Sequence, residues 1–229
     1  MTKIHPRDYE SNRLIASVKQ SRSNIYKHLA ENQNRPLDVV LLHFPYCQRG
    51  QCSQDEEKYT WRNAWPTLES LKGAEPGKVH AIGVSNFDAN QLRELLSITN
   101  HKVSVVQNWM DPFHQDVEVR QICKQNNIVY MGYSSFGTQW EWKIKHNPVF
   151  TNPLLQTIAD KYALSIAEVV LSWVMREGAV AIPRASTEEH IMGNAQIISN
   201  THGMPYALLD DEDILSIRRL DGILGSLWD

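Results

Sequence analysis

The sequence lacks the long apolar runs of membrane-spanning and exported proteins. No stretch of its 229 residues approaches the roughly 18 consecutive apolar residues of a membrane span. The first residues, MTKIHPRDYESNR, lack the apolar core of a secretory signal. We therefore expect a cytoplasmic protein that has no membrane partner.

Cysteine is scarce as well, with three residues at Cys47, Cys52 and Cys123. A sparse, odd set does not make a disulfide framework and fits a reducing compartment. We expect no disulfide, and a bond between Cys47 and Cys52 across a loop is the less favoured alternative. His43 lies near these two cysteines in the sequence, but the spacing matches no standard zinc site, so we expect no metal.

No block of lysine and arginine occurs, and the formal net charge is −3. This charge balance gives no indication of a nucleic-acid partner. Hydrophobic residues make up 42% and charged residues 21% of the chain, which is ordinary for a globular protein. The length suits one domain, and we expect residues 1–229 to form a single one.

Short apolar runs alternate with longer helical patterns along the chain. Five of these runs have the composition of strands that are buried on both faces. They are LDVVLLHF (37–44), VHAIGV (79–84), VSVVQ (103–107), IVYMGY (128–133) and VAIP (180–183). Strands that alternate with helices pair in parallel through right-handed crossovers, so the pattern predicts an α/β fold.

The starts of several helices can be read from the sequence. They are predicted at Asp88, Asn152, Ser165 and Asp210. Gln91 and Glu168 complete capping boxes three residues after the first and third of these positions. Pro153 is suited to the first helical position after its asparagine cap.

Two architectures remain open from this pattern, namely an open doubly wound sheet and a (β/α) barrel. No GxGxxG follows an early strand, which weighs against the dinucleotide-binding open sheet. In both folds, ligands bind at the carboxyl ends of the strands. The polar residues at these ends are the candidates for a site: His43, Ser85, Asn86, Gln107, Tyr133 and Ser134.

The segment GKVHAIGVSNF (77–87) resembles a hallmark stretch of the aldo-keto reductases. Four more segments resemble parts of that family in the family's own order. They are LDVVLLHFP (37–45), VVQ (105–107), GYSSFG (132–137) and IPRASTEEHIMGN (182–194). The resemblance covers about residues 1–220 and implies a (β/α)8 TIM barrel. The implied activity is that of an NADP-dependent oxidoreductase, which reduces aldehydes and ketones to alcohols by hydride transfer.

The resemblance also implies a role for each matched residue. His43 would orient and polarise the carbonyl of a small-molecule substrate, and Lys3 would correspond to the family's catalytic lysine. Tyr133 would stack on the nicotinamide ring of the cofactor. Three residues would hold the nicotinamide carboxamide: Ser85, Asn86 and Gln107.

Further matched residues would hold the rest of the cofactor. The pyrophosphate would be lined by Ser134, Phe136 and Thr138. The adenosine end would be surrounded by Arg184, Ser186, His190 and Asn194. A phosphate suits the free N–H groups at the start of a helix, and Ser186 and Thr187 are candidate caps for one. The implied cofactor is NADPH, with NADH (NAD) as an alternative because the segment departs from the family's pattern.

Two catalytic residues of the family, an aspartate and a tyrosine, would lie before Met1, since MTKIHPRDY resembles the end of the third barrel strand. Tyr9 and Tyr46 are candidate substitutes as proton donors. The resemblance therefore predicts an incomplete barrel without its first strands, whose open edge could support self-association. The alternative function is that of a catalytically impaired remnant that binds cofactor or oligomerises. A barrel with unrelated chemistry is a third reading.

Overall fold

Strands and helices alternate in the part of the chain that the computed structural model describes, which is residues 1–28, 35–47, 52, 59–73, 78–199 and 209–225. The strands are β1 (Thr2–Ile4), β2 (Leu37–Leu42), β3 (Val79–Ser85), β4 (Val105–Trp109), β5 (Val129–Tyr133) and β6 (Val180–Ala181). They are hydrogen-bonded in the order of the sequence, from β1 to β6. The predicted α/β class is therefore confirmed.

Helices connect the strands and make up much of the second half of the chain. The longer ones are α1 (Ser11–Tyr26), α2 (Trp61–Ser70), α3 (Ala89–Ile98) and α4 (Val117–Gln125). Two short helices follow, α5 (Trp140–Ile144) and α6 (Pro148–Thr151). The last four are α7 (Pro153–Tyr162), α8 (Ile166–Arg176), α9 (Glu188–Ser199) and α10 (Asp211–Arg218). Among the described residues, no helix has the length and apolar character needed to cross a membrane.

The chain forms two compact units. Unit one comprises Met1–Gln107 with Glu118–Val129, and unit two comprises Asn108–Val117 with Tyr130–Asp229. In unit one, the strands pair in parallel, with Lys3 beside Leu41 and Ser85 beside Gln107. Parallel pairing brings the carboxyl ends of β1 to β4 to one edge of the sheet.

Gly83 allows β3 and β4 to lie close together in unit one. A Cβ atom at this position would be 2.0 Å from the carbonyl oxygen of Val105 and 2.9 Å from Cδ2 of Leu41. No real Cβ atom approaches a backbone oxygen so closely, so glycine is required by the packing. The core of this unit also includes Trp61 and Trp65 of α2, which are fully buried.

Unit two is built mainly from helices around β5 and β6, which pair in parallel. Helix α8 contributes an almost continuous buried face that includes Val169, Val170 and Trp173. Its start is fixed by a capping box, in which the Ser165 hydroxyl accepts from the amide of Glu168 while the Glu168 carboxylate accepts from the amide of Ser165. This arrangement satisfies two amides that the helix leaves without partners.

The predicted helix starts are confirmed. Asp88, Asn152, Ser165 and Asp210 each accept a hydrogen bond from an amide in the first turn of their helix. The strand positions are confirmed with shifted ends, because β4 begins two residues later and ends two residues later than the run 103–107. Strand ends depend on where the neighbouring chain supplies hydrogen bonds, which an apolar run does not record.

The expectation of no disulfide was wrong, because Cys47 and Cys52 are joined. Their Cα atoms lie 6.1 Å apart, within the range that a disulfide spans without backbone movement. Cysteine number and spacing do not determine this geometry. Cys123 is buried in α4 and takes no part in the disulfide.

Candidate active site

A cluster of polar side chains in unit one comes from β1, from β4 and from the carboxyl ends of β2 and β3. The ammonium of Lys3 donates a 2.6 Å hydrogen bond to Oε1 of Gln107. Two strands separate β1 from β4, so the two strands would be about 14 Å apart in a flat sheet. The sheet of this unit is therefore curved, with Lys3 and Gln107 on its concave side. Burial lowers the pKa of the Lys3 ammonium from its ordinary value.

His43 follows β2 directly and is half-buried in the same cluster. Burial, with smaller contributions from Lys3 and His5, lowers the pKa of its imidazole to about 4. The ring stacks on Phe44, with ring centres 4.4 Å apart. At neutral pH, His43 is therefore an uncharged imidazole, which can donate one hydrogen bond and accept another.

Ser85 ends β3 beside His43, and Asn86 follows it directly. The side-chain amide of Asn86 donates to the carbonyl oxygen of His43 at 2.8 Å and to Oγ of Ser85 at 3.2 Å. Asn86 has a φ of 61°, and its backbone N–H donates to the carbonyl oxygen of Gln107. Asparagine tolerates this left-handed conformation better than most residues. The structure thus brings together all five sequence-predicted residues of unit one: Lys3, His43, Ser85, Asn86 and Gln107.

Of the two tyrosines considered as substitute proton donors, Tyr9 is committed to another contact, and the role of Tyr46 stays a prediction. Tyr9 is fully buried, and its hydroxyl donates to the carbonyl oxygen of Phe44. Burial strongly raises the pKa of Tyr9, and hydrogen bonds with the backbone of Phe44 and His43 oppose that shift. Tyr46 is exposed. Tyr9 therefore binds the backbone of Phe44, the residue next to His43.

His5 was missed by the sequence reasoning. Its ring lies edge-on to that of His43, with ring centres 6.3 Å apart. Side chains two positions apart in an extended segment share a face, so the pairing of His5 with Lys3 could have been found from that spacing.

In unit two, the predicted cofactor residues begin at the end of β5. Tyr133 is half-buried, and burial raises its pKa to about 12, with a smaller contribution from the negative charge of Asp116. Ser134 has a φ of 55°, and its hydroxyl accepts from the side-chain amide of Gln139 at 3.2 Å. The Ser134 carbonyl oxygen accepts from the amide of Gly137, which closes a tight turn directly after the strand.

The other predicted residues of unit two lie at separate positions. Phe136 lies in the same turn, with its ring 6.0 Å from that of Phe150, and Thr138 is exposed. The predicted adenosine residues flank or belong to α9: Arg184, Ser186, His190 and Asn194. The first three of these are exposed. Thr187 caps the helix, because its hydroxyl accepts from the amide of His190, so the predicted helix start in this segment is confirmed.

A buried carboxylate follows β4 in unit two and was not predicted. Asp111 has no exposed surface, and its carboxylate accepts from the indole N–H groups of Trp109 and Trp140 at 2.8 and 2.9 Å. The amides of Phe113 and His114 donate to its other oxygen. Burial raises the pKa of Asp111 to about 7, although these hydrogen bonds oppose the shift. Trp109 and Trp140 are therefore parts of a packed core, whereas Trp142 is exposed.

Parallel strands that alternate with helices place this chain in the class of α/β proteins. In that class, ligands bind at the carboxyl ends of the strands, where part of the polar cluster lies. The model of the aldo/keto reductase family matches residues 1–202. This chain belongs to the aldo/keto reductase family. The resemblance found in the sequence is thereby confirmed.

Curated relatives support the same assignment. Aldo-keto reductase family 1 member A1 of Sus scrofa is 28% identical over 211 residues, which cover 87% of this chain and 61% of the relative. The NAD(P)H-dependent D-xylose reductase of Scheffersomyces stipitis is 30% identical over 215 residues, covering 84% of this chain and 64% of the relative. The chain thus spans less than two thirds of the length of these relatives.

Solved structures confirm the barrel class of the fold. A crystal structure of an aldo-keto reductase complexed with NADPH is 26% identical and has a TM-score of 0.73. An aldo-keto reductase structure of the silkworm Bombyx mori has the same identity and TM-score. In both comparisons the match covers 96% of this chain and 63% of the other. The described strands of this chain therefore correspond to part of a (β/α)8 barrel, as predicted.

Proposed function

We propose that this protein reduces small aldehydes or ketones to alcohols by hydride transfer from NADPH. The observation that carries the proposal is the cluster of Lys3, His43, Asn86 and Gln107 at one edge of the curved sheet of unit one. Relatives of this protein include an NAD(P)H-dependent D-xylose reductase and a glycerol 2-dehydrogenase (NADP(+)). Both are named for reactions at a carbonyl group or the corresponding alcohol.

His43 is the residue that we propose to orient the substrate. Its imidazole is neutral at neutral pH because burial and the charges of Lys3 and His5 lower its pKa. A neutral imidazole can donate an N–H to a carbonyl oxygen, which fixes the direction of the carbonyl and polarises it. Lys3 adds a positive charge near the same place, which stabilises negative charge that develops on that oxygen.

The donor and acceptor groups of unit one fit a nicotinamide carboxamide. A carboxamide offers one carbonyl acceptor and one NH₂ donor, and its matching partners are hydroxyl and amide side chains. Ser85, Asn86 and Gln107 supply these groups, and Ser85 and Gln107 are buried, so their positions are restricted. NADPH, when bound, would supply the hydride that the carbonyl carbon accepts, and the carbonyl oxygen would take its proton from solvent water.

Unit two supplies the other cofactor residues that we propose. The half-buried ring of Tyr133 would provide a flat partner for the nicotinamide ring, and the turn after it would line the pyrophosphate with Ser134, Phe136 and Thr138. The adenosine end would be held by Arg184, Ser186, His190 and Asn194. Arg184 is well suited to a phosphate because its guanidinium can donate two parallel hydrogen bonds, which favours NADPH over NADH.

The alternative of a catalytically impaired remnant receives no support from the comparisons, since the named relatives are reductases or dehydrogenases. Oligomerisation through the sheet edge remains a proposal. It concerns β1, which among the described strands has β2 as its one neighbour.

The test combines turnover with cofactor binding in the purified chain. NADPH consumption is followed with a simple aromatic aldehyde, and NADPH binding is followed by tryptophan quenching. We expect saturable binding and turnover in the wild type. We expect His43→Ala to lower kcat by about 10²–10⁴ with cofactor affinity unchanged, because it removes the group that polarises the carbonyl.

His80→Ala is the matched control, because His80 lies on β3 in the same unit and is exposed. It should keep the wild-type kcat. Cofactor binding without turnover in the wild type would contradict the proposed catalysis. Equal losses in both variants would contradict the role of His43.

A further inference from the structure

Three hydrogen bonds hold the peptide backbone at His43, and one of them comes from the side chain of a residue outside the proposed reaction. The amide of His43 donates to the carbonyl oxygen of Ile4 at 2.9 Å. The carbonyl oxygen of His43 accepts from the side chain of Asn86 at 2.8 Å. The next carbonyl oxygen, that of Phe44, accepts from the hydroxyl of Tyr9. These contacts fix the peptide groups on both sides of His43 and the one that follows Phe44.

Tyr9 is itself held rigidly. It follows β1 and a short 3-10 helix (Pro6–Asp8), and its amide donates to the carbonyl oxygen of Pro6 at 2.9 Å. Its side chain has no exposed surface, so the hydroxyl has no competing water partner. A buried hydroxyl that donates to a buried carbonyl oxygen leaves an unsatisfied acceptor when it is removed.

We propose that Tyr9 is a positioning residue for His43, which acts by fixing the Phe44 peptide and thereby the direction of the imidazole. The effect of Tyr9 on turnover through His43 rests on the proposed function. Tyr9 transfers no proton, because its hydroxyl is committed to a backbone carbonyl oxygen in a closed environment.

The position of the imidazole matters because small displacements change its surroundings. Among the described residues, Lys3 and His5 are the titratable groups that act on His43, and the ring of Phe44 covers one side of it. A ring that moves outward gains water and loses the influence of both charges. A displacement of about 1 Å at a catalytic group can cost roughly 10²-fold in rate.

Tyr9→Phe removes only the hydroxyl, and Tyr26→Phe is its matched control. Tyr26 lies in the same unit, is also buried, and donates its hydroxyl to the carbonyl oxygen of Pro36 at 3.1 Å. Both variants therefore lose one buried tyrosine-to-carbonyl hydrogen bond. Only the first loses the bond next to His43.

The readout is the NMR titration of the His43 ring, assigned by comparison with His43→Asn because the chain has nine histidines. In Tyr9→Phe, we expect the pKa of His43 to rise toward 6.5 by roughly half a pH unit or more, because the ring becomes more hydrated. In the same variant, we expect kcat to fall about tenfold with little change in KM. Tyr26→Phe should leave both quantities at their wild-type values.

An unchanged His43 titration in Tyr9→Phe, or an equal shift in both variants, overturns the proposal. If Tyr9→Phe does not fold, the test uses 3-fluorotyrosine in place of Tyr9 or, as the control, in place of Tyr26. This residue keeps the ring and the hydroxyl and makes the hydroxyl a stronger hydrogen-bond donor. The His43 resonance should then move only with the label at position 9. Failure of the proposed function is seen separately, as absence of turnover in the wild type, and the titration decides the role of Tyr9 in that case too.

Discussion

At Asp111, one fully buried carboxylate takes hydrogen bonds from two indole rings and two backbone amides. An ionised carboxylate is an acceptor only, which suits four donors, but its burial favours the neutral form. Burial is the larger influence and raises the pKa to about 7. The folded state therefore keeps a proton on Asp111 at pH values where the unfolded chain has lost it.

We expect this proton to make stability depend on pH. The ordinary pKa of 3.8 applies in the unfolded chain, so the folded state binds the extra proton between about pH 4 and pH 7. The stabilisation that Asp111 contributes is complete at low pH and is lost as the pH rises through this window, by on the order of 4 kcal/mol. The measurement is urea unfolding of the wild type and Asp111→Asn from pH 4.5 to 8.

Asp111→Asn lacks the titration, so the stability difference between the wild type and this variant should shrink as the pH rises. Glu212→Gln, at an exposed position, should follow the wild type at every pH. Parallel curves for the wild type and Asp111→Asn would show that the buried carboxyl does not titrate in this range.

Single residues differ in how far the sequence predicts them. His43 and Lys3 were predicted because they lie in segments that resemble a family, and the structure brings them together. Asp111 and Tyr9 were not predicted as buried anchors. Three partners of Asp111 lie within three residues of it, but its fourth, Trp140, is 29 residues away. Tyr9 reaches a carbonyl group 35 residues away, and no local pattern records such a contact.

Among the structural elements, the pairing of β3 with β4 depends on the absence of a side chain at Gly83. Gly83→Ala would place a Cβ atom against the Val105 backbone, and the two strands would have to separate. We expect a loss of about 3 kcal/mol or more in the free energy of unfolding, measured by urea denaturation.

Gly193→Ala is the control, since Gly193 lies in α9 and an added Cβ atom meets nothing within 4 Å. Alanine has the higher helix propensity, so this change should stabilise the protein by about 0.5–1 kcal/mol. A Gly83→Ala protein as stable as the wild type would show that β3 and β4 can adjust without cost.

Helix starts were predictable and strand ends were less so, for a physical reason. A cap is a contact over three residues, as between Asp88 and Gln91, and therefore lies entirely within a local sequence. Strand β6 was expected to cover 180–183 but is Val180–Ala181, because its length depends on the hydrogen bonds that β5 supplies. Helix α2 contains Pro66 in its interior and had no predicted boundaries.

For the whole molecule, the expectation of one domain over residues 1–229 stays a prediction. We expect the chain to unfold in one cooperative transition, since domains of this size usually share one core. Native-state hydrogen exchange measures this in both units. The slowest amides of Leu41 and Leu42 in unit one should have the same opening free energy as those of Val170 and Leu171 in unit two.

Opening free energies that differ by several kcal/mol would show that the two units unfold separately. NADPH at 100 times its dissociation constant should raise the common value by about 2.7 kcal/mol if it binds only the folded chain. Hydrogen exchange measured with and without NADPH therefore also shows whether cofactor binding protects both units or one.

The hydrogen bond between Lys3 and Gln107 has a consequence for the time at which the site can form. The two residues are 104 positions apart in the sequence, yet they meet in one cluster. At a synthesis rate of about 5–20 residues per second, Gln107 is added to the chain roughly 5–20 s after Lys3. Contacts of this range also form late in folding, because a long loop must close first. The proposed catalytic cluster is thus among the last features to be assembled in unit one, and a nascent chain released before Gln107 cannot contain it.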